Sequence, residues 1–79
     1  MVVVQVQLYA DLQKYAPAPG KSSFYYTGEE GITIAQLLSQ LNIPTGQDLL
    51  VVVNGISTST DRALVNGDRL AVFRPLDGG

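Results

Sequence analysis

The sequence contains no cysteine and no histidine. Without cysteine there is no disulfide to staple the fold and no thiolate to bind a metal, so a chain of 79 residues must be held by its own core. The absence of cysteine does not fix the redox compartment. Without histidine as well, zinc sites built from His or Cys, Ser-His-Asp triads and Cys-His dyads are all excluded. Any chemistry must use carboxylates, hydroxyls, Lys, Arg or the chain termini. Charge is scarce too, at 15% of residues with a net charge of -2. There is no basic stripe, which argues against dedicated nucleic-acid binding. No apolar run approaches the length of a membrane span. The residues Met1 to Leu8 lack a basic start and a continuous apolar stretch, so no signal peptide is expected. These exclusions lead to the expectation of a cytoplasmic protein with no membrane or nucleic-acid partner.

What is present reads as one domain. Val4, Val6 and Leu8 alternate with Gln5, Gln7 and Tyr9, the period of a half-buried strand. Ala10 to Tyr15 allows one helical turn, and Pro17-Ala18-Pro19-Gly20 forces a loop. Ser22 to Tyr26 reads as a second strand, close enough in sequence to pair antiparallel with the first. Thr33 followed by Gln36 predicts a capping box, and Ile32 with Leu37 a hydrophobic staple. Ile34, Leu37, Leu38 and Leu41 then form one apolar stripe, and Pro44 is expected to stop the helix shortly after Asn42.

Leu49 to Val53 is an apolar run suited to a central strand covered on part of both faces. Asn54-Gly55 predicts a tight hairpin turn, with Ile56 to Ser59 returning. Asn66-Gly67-Asp68 is a further turn. Arg69 to Arg74 reads as the last strand, with Leu70 and Val72 on one face, and Pro75 ends the pairing. One helix cannot cover both faces of such a sheet, so the expected class is α+β, a twisted mixed sheet folded over one main helix. The first and last strands are expected side by side at its centre. Asp11, Asp48, Asp61 and Asp68 fall at turns and element ends, where Asp satisfies backbone N–H groups. That scatter speaks against a self-sufficient enzyme.

Three further stretches carry a resemblance: Val53-Asn54-Gly55, then Leu64 through Phe73 with Asn66-Gly67-Asp68 at its centre, then Pro75 and the final Gly78-Gly79. In this order they resemble the ubiquitin-like β-grasp sulfur carriers of the MoaD/ThiS family. Within it the chain is most similar to the small subunit of molybdopterin synthase. The resemblance implies a β-grasp domain over residues 1–75 and a free tail over residues 76–79. It also implies that the Gly79 carboxylate is adenylated by an activating enzyme related to the ubiquitin E1 and converted to a thiocarboxylate. Gly79 is thus the expected chemical residue. Gly78, Asp77, Leu76, Pro75 and Phe73 are the expected tail and partner-binding residues. No cofactor or metal is expected on the chain itself. ATP and Mg²⁺ would be used by the activating partner. The other implied partners are the molybdopterin synthase large subunit, or a thiazole synthase, and a sulfur donor protein.

Elementary chemistry fits this expectation. A carboxylate must be activated before sulfur can replace oxygen, and a thiocarboxylate needs no cysteine because the sulfur rides on a carbonyl carbon. Glycine lets another backbone or a nucleotide approach closely. Phe73 is open to two readings, core or an exposed apolar patch. Arg74 is open to two as well, a docking charge or an ordinary solvated one. Carriers for the thiamine thiazole are similar near the C-terminus but join their first two strands tightly, so the insert from Ala10 to Lys21 favours the molybdopterin type. A ubiquitin-like protein modifier that also serves tRNA thiolation remains an alternative. So does a plain β-grasp interaction module.

Overall fold

A computed structural model describes residues 1–17, 22–44 and 49–74. The strands are β1 (Val2–Leu8), β2 (Ser23–Gly28), β3 (Leu50–Val53), β4 (Ile56–Thr58) and β5 (Arg69–Phe73). A 3₁₀ helix (Ala10–Tyr15) follows β1, and one α-helix, α1 (Ile34–Gln40), lies between β2 and β3. All five strands form one sheet in the order β2-β1-β5-β3-β4. The β1–β5 pair is parallel, whereas β1–β2, β3–β5 and β3–β4 are antiparallel. This is the β-grasp arrangement, with the first and last strands adjacent near the centre as the sequence implies.

Strand pleating assigns each residue to one of two faces. Val4, Val6, Leu8, Val51, Val53, Leu70 and Val72 point to the helix side and are buried. Ile34, Leu37 and Leu38 of α1 meet them there, and Leu12 of the 3₁₀ helix joins the same core. The α1 start follows from its capping chemistry. The Thr33 hydroxyl accepts the Gln36 N–H at 3.2 Å, and the Gln36 side chain accepts the Thr33 N–H at 3.0 Å. The next free donors find the chain that precedes β5: Ile34 N–H reaches the Arg62 carbonyl at 3.0 Å, and Ala35 N–H the Thr60 carbonyl at 2.8 Å. Thus the helix start is satisfied by a side chain and a loop together. Ile32 and Leu37, the expected staple pair, both lie in the core.

The helix ends differently from the sequence expectation. Leu41 is its C-cap and Asn42 adopts a left-handed φ of 63°. Ile43 N–H then bonds the Leu38 carbonyl at 2.9 Å, and Asn42 N–H the Ser39 carbonyl at 3.0 Å. This pair of bonds is a Schellman motif with asparagine in the left-handed position. The helix therefore stops before Pro44 has any effect. Leu41, expected on the apolar stripe, is only half-buried as a result. Strand β2 runs two residues further than expected, because Thr27 and Gly28 pair with Val3 and Val2.

Strand β3 is interior to the sheet as expected. Val51 and Val53 are buried on the helix side, and the other face is covered only in part: Val52 is half-buried and Leu50 is 42% exposed. The single helix occupies the opposite face. The loop at 18–20, Lys21, Asp48, Pro75 and the tail over residues 76–79 lie outside the described residues.

The two Asn-Gly turns do more than reverse the chain. Asn54 and Gly55 have φ of 53° and 83°, the conformation of a two-residue hairpin turn between Val53 and Ile56. At the second turn Gly67 has φ 91° and its N–H reaches the Val3 carbonyl at 2.8 Å. Asp68, only 4% exposed, accepts the Val65 N–H at 2.9 Å and the Asn54 side-chain amide at 3.0 Å. Asn54 in turn accepts the Arg69 N–H at 3.0 Å, and Asn66 accepts the Val3 N–H at 2.8 Å. One buried carboxylate thereby ties the ends of β3 and β5, and the adjacent turn ties β1.

Two stability outcomes follow. Leu38→Ala should cost about 2–5 kcal/mol out of a total of roughly 4–12 kcal/mol for a domain of this size. Thermal melting should fall steeply, and an unchanged curve would contradict the core assignment. Asp68→Ala leaves the Val65 N–H and the Asn54 amide without their partner, at a cost of about 1–3 kcal/mol. Urea unfolding would read this as a lower midpoint, and an unmoved midpoint would refute the bracing role.

Candidate functional site

Of the residues the sequence singles out, Phe73 is described, whereas Pro75, Leu76, Asp77, Gly78 and Gly79 lie outside the described residues. What the structure shows is the platform that precedes them. The β1–β5 register pairs Leu8 with Val72. It therefore brings Tyr9, the first residue after β1, level with Phe73, the last residue of β5. Tyr9 N–H bonds the Val72 carbonyl at 3.3 Å. The Tyr9 and Phe73 rings stand edge-to-face, 5.1 Å between centroids at 82°. That geometry places the positive edge of one ring against the negative face of the other.

One residue beyond Phe73 and two beyond Tyr9, a charge pair forms. Arg74 Nε sits 3.1 and 3.0 Å from the two carboxylate oxygens of Asp11. Neither sequence reading of Arg74, a docking charge or an ordinary solvated one, includes this pairing with Asp11. Asp11 accordingly serves a side chain, where a backbone N–H was expected. Asp61 likewise accepts the Ser59 hydroxyl. Between Tyr9 and Asp11, Ala10 has φ 55°, a left-handed conformation that non-glycine residues rarely adopt.

Phe73 belongs to the face away from the helix. It pairs with Leu50 across β3 and shares its face with Ala71 and Val52. It is half-buried rather than part of the core. The same face carries Tyr25, 75% exposed, on the far strand. A shallow depression of about 380 Å³ runs across it, lined among others by Gln7, Tyr9, Val52, Ala71 and Phe73. Arg69 supplies the positive charge at its border. The open face is thus polar along β1, at Gln5 and Gln7, and apolar along β5 and β3. Among the described residues no group of three or more acidic side chains is close enough together to hold a metal ion.

Sequence reading missed the partners Tyr9 and Asp11. The signal for Tyr9 was present, since the alternation that buries Leu8 turns Tyr9 to the opposite face. No local signal marks Asp11, because its partner is 63 residues away.

The ThiS family model matches residues 6–79. The chain belongs to the ThiS family. No curated protein matches it in sequence. Solved structures share the ThiS-type fold. The chain superposes on a Pyrococcus furiosus protein assigned as molybdopterin converting factor subunit 1 with a TM-score of 0.76 at 23% identity, covering 96% of this chain and 100% of that one. It superposes on the small archaeal modifier protein 1 of Haloferax volcanii with a TM-score of 0.76 at 21% identity, covering 96% and 100%. A complex of subunits 1 and 2 of the molybdopterin-converting factor of Helicobacter pylori matches with a TM-score of 0.61 at 15% identity, covering 99% and 100%. At these identities the likeness speaks for the fold. This ThiS-family chain therefore has the small β-grasp fold shared with a molybdopterin converting factor subunit and with an archaeal modifier protein. A structural relative, in the Helicobacter case, is seen assembled with a second subunit. No helix among the described residues is long and apolar enough to cross a membrane.

Proposed function

We propose that this chain is the sulfur carrier of molybdopterin biosynthesis, acting as the small subunit of molybdopterin synthase in the cytoplasm. The observation that supports the carrier part of the reading is the ThiS family match, which includes Gly78 and Gly79, and the fold likeness to molybdopterin-converting-factor subunits supports the molybdopterin part. The Gly79 carboxylate attacks the α-phosphate of ATP on an E1-like enzyme, forming an acyl-adenylate and releasing pyrophosphate. A sulfide equivalent from a donor protein then displaces AMP and leaves a thiocarboxylate. The activating enzyme supplies ATP and Mg²⁺, and this chain supplies the carboxylate. Residues 76–79 act as a narrow tail, in which the glycines admit close approach by the partner's backbone.

The apolar half of the open face is the docking surface for the large subunit. It combines an aromatic ring, small and branched apolar side chains and a bordering arginine, a composition common in the buried centres of interfaces. The complex of two subunits in the Helicobacter relative supports a partner of this kind. A thiazole synthase would be the acceptor in the thiamine variant of the same chemistry. A second reading, as a protein modifier, is favoured by the match to the archaeal modifier at the same TM-score of 0.76.

Incubation with the activating enzyme, ATP, Mg²⁺ and a sulfur donor tests the proposal. The intact mass should rise by the difference between one sulfur and one oxygen, with fragmentation placing the change on Gly79. A C-terminal amide should block the shift, and Gly79→Ala should slow it. Sulfur gained by the amidated protein, or found on Lys14 or Lys21, would refute the mechanism. Stable conjugates to lysines of other proteins would favour the modifier. The open face is tested separately by Ala71→Arg, which should weaken large-subunit binding at least about tenfold while leaving thermal melting nearly unchanged. Undiminished binding would move the docking surface elsewhere.

A further inference from the structure

We propose that Tyr9 and Asp11 are positioning residues that aim the C-terminal residues by clamping Phe73 and Arg74. The inference rests on the carrier reading, because only then does the direction of the chain after Arg74 matter. Three observations converge on this one spot. The ring pair Tyr9–Phe73 and the ion pair Asp11–Arg74 engage consecutive residues at the end of β5 and two residues that flank Ala10, so Phe73 and Arg74 are each held. The residue between the two holders, Ala10, carries the left-handed φ of 55°. Such strain persists where surrounding contacts over-determine the backbone, and it concentrates at functional sites. The clamp also lies beyond Leu8 and Val72, the last core pair of the two strands.

Core stability does not explain this arrangement. The Asp11 and Arg74 side chains are 54% and 33% exposed, and exposed ion pairs contribute little to folding. Lever arithmetic offers a better reason. Five residues beyond Arg74 can reach at most about 16–18 Å. A swing of roughly 20° at their root therefore moves the far end by up to about 6 Å, whereas reacting groups must be placed to within about 1 Å. A chain root held in advance reduces the ordering cost of each encounter with the activating enzyme. The benefit should appear in KM, since a tail already seated in the partner's site no longer depends on its root.

Asp11→Asn and Tyr9→Ala, alone and together, test the clamp in two independent ways. In the isolated protein, each single variant should shift the amide resonances of Arg74, Gly78 and Gly79 while leaving those of Val4 and Leu70 in place. In adenylation assays, each should raise KM about two- to fivefold, the size expected for one exposed contact, with kcat unchanged. Asp11→Glu, which keeps the carboxylate, should restore KM and resonances towards the wild-type values. The proposal is overturned if Asp11→Asn leaves both the resonances and KM unchanged. It is equally overturned if activity falls only in proportion to lost thermal stability. Should the wild-type protein accept no AMP or sulfur, the carrier reading fails, and the resonance shifts still decide whether the clamp holds the chain end.

Discussion

Parallel pairing of β1 with β5 sets the arrangement of everything else. Parallel neighbours cannot be joined by a tight turn, so the chain between them must take a long path that crosses one face of the sheet. That excursion supplies β2 on one side, α1 across one face, and β3 with β4 on the other side. The Leu8–Val72 register closes the core at one end. It also delivers the start of the 3₁₀ helix and the end of β5 to the same place. The contacts Tyr9–Phe73 and Asp11–Arg74 are consequences of that register, as is the position from which the last residues depart.

Having only one main helix has a second consequence. The helix side of the sheet is filled by α1, the 3₁₀ helix and loop residues such as Ile43 and Leu64. The other side is left half-covered. A chain this short cannot build a second covering layer. Its open face must therefore be either polar or a surface for another protein. Gln5 and Gln7 on β1 make one half of that face polar, and Ala71, Val52 and Phe73 on β5 and β3 make the other half apolar. In the Helicobacter pylori structure a protein of this fold is assembled with a second subunit.

Much of this was legible in the residues because it is local. The Val4-Val6-Leu8 alternation, the Thr33–Gln36 capping box and the Asn54-Gly55 turn each act within a few residues, and each forms where the sequence puts it. Pro44 misled because a stronger local device, left-handed Asn42, acts two residues earlier. The Leu49 to Val53 run was legible as an interior strand, but not in how far each face is covered. Apolar composition reports what a strand tolerates on each face, and only the layer arrangement decides which face is covered. The role of Asp68 was readable as a turn carboxylate, but its link to Asn54 depends on the β3–β5 register. The pairing of Arg74 with Asp11 spans nearly the whole chain and has no local trace. Of the candidate site, the resemblance named the chemical end, and the structure supplies its root.

In this account the folded domain and the reactive end are separable: the core cluster among the described residues runs from Val2 to Val72, whereas the proposed chemistry is at Gly79. Deleting Gly78 and Gly79 tests that separation most directly, with circular dichroism melting and sulfur acceptance measured on the same sample. The account predicts an unchanged melting curve and complete loss of sulfur acceptance. A truncated protein that melts much earlier, or one that still takes up sulfur, would contradict it.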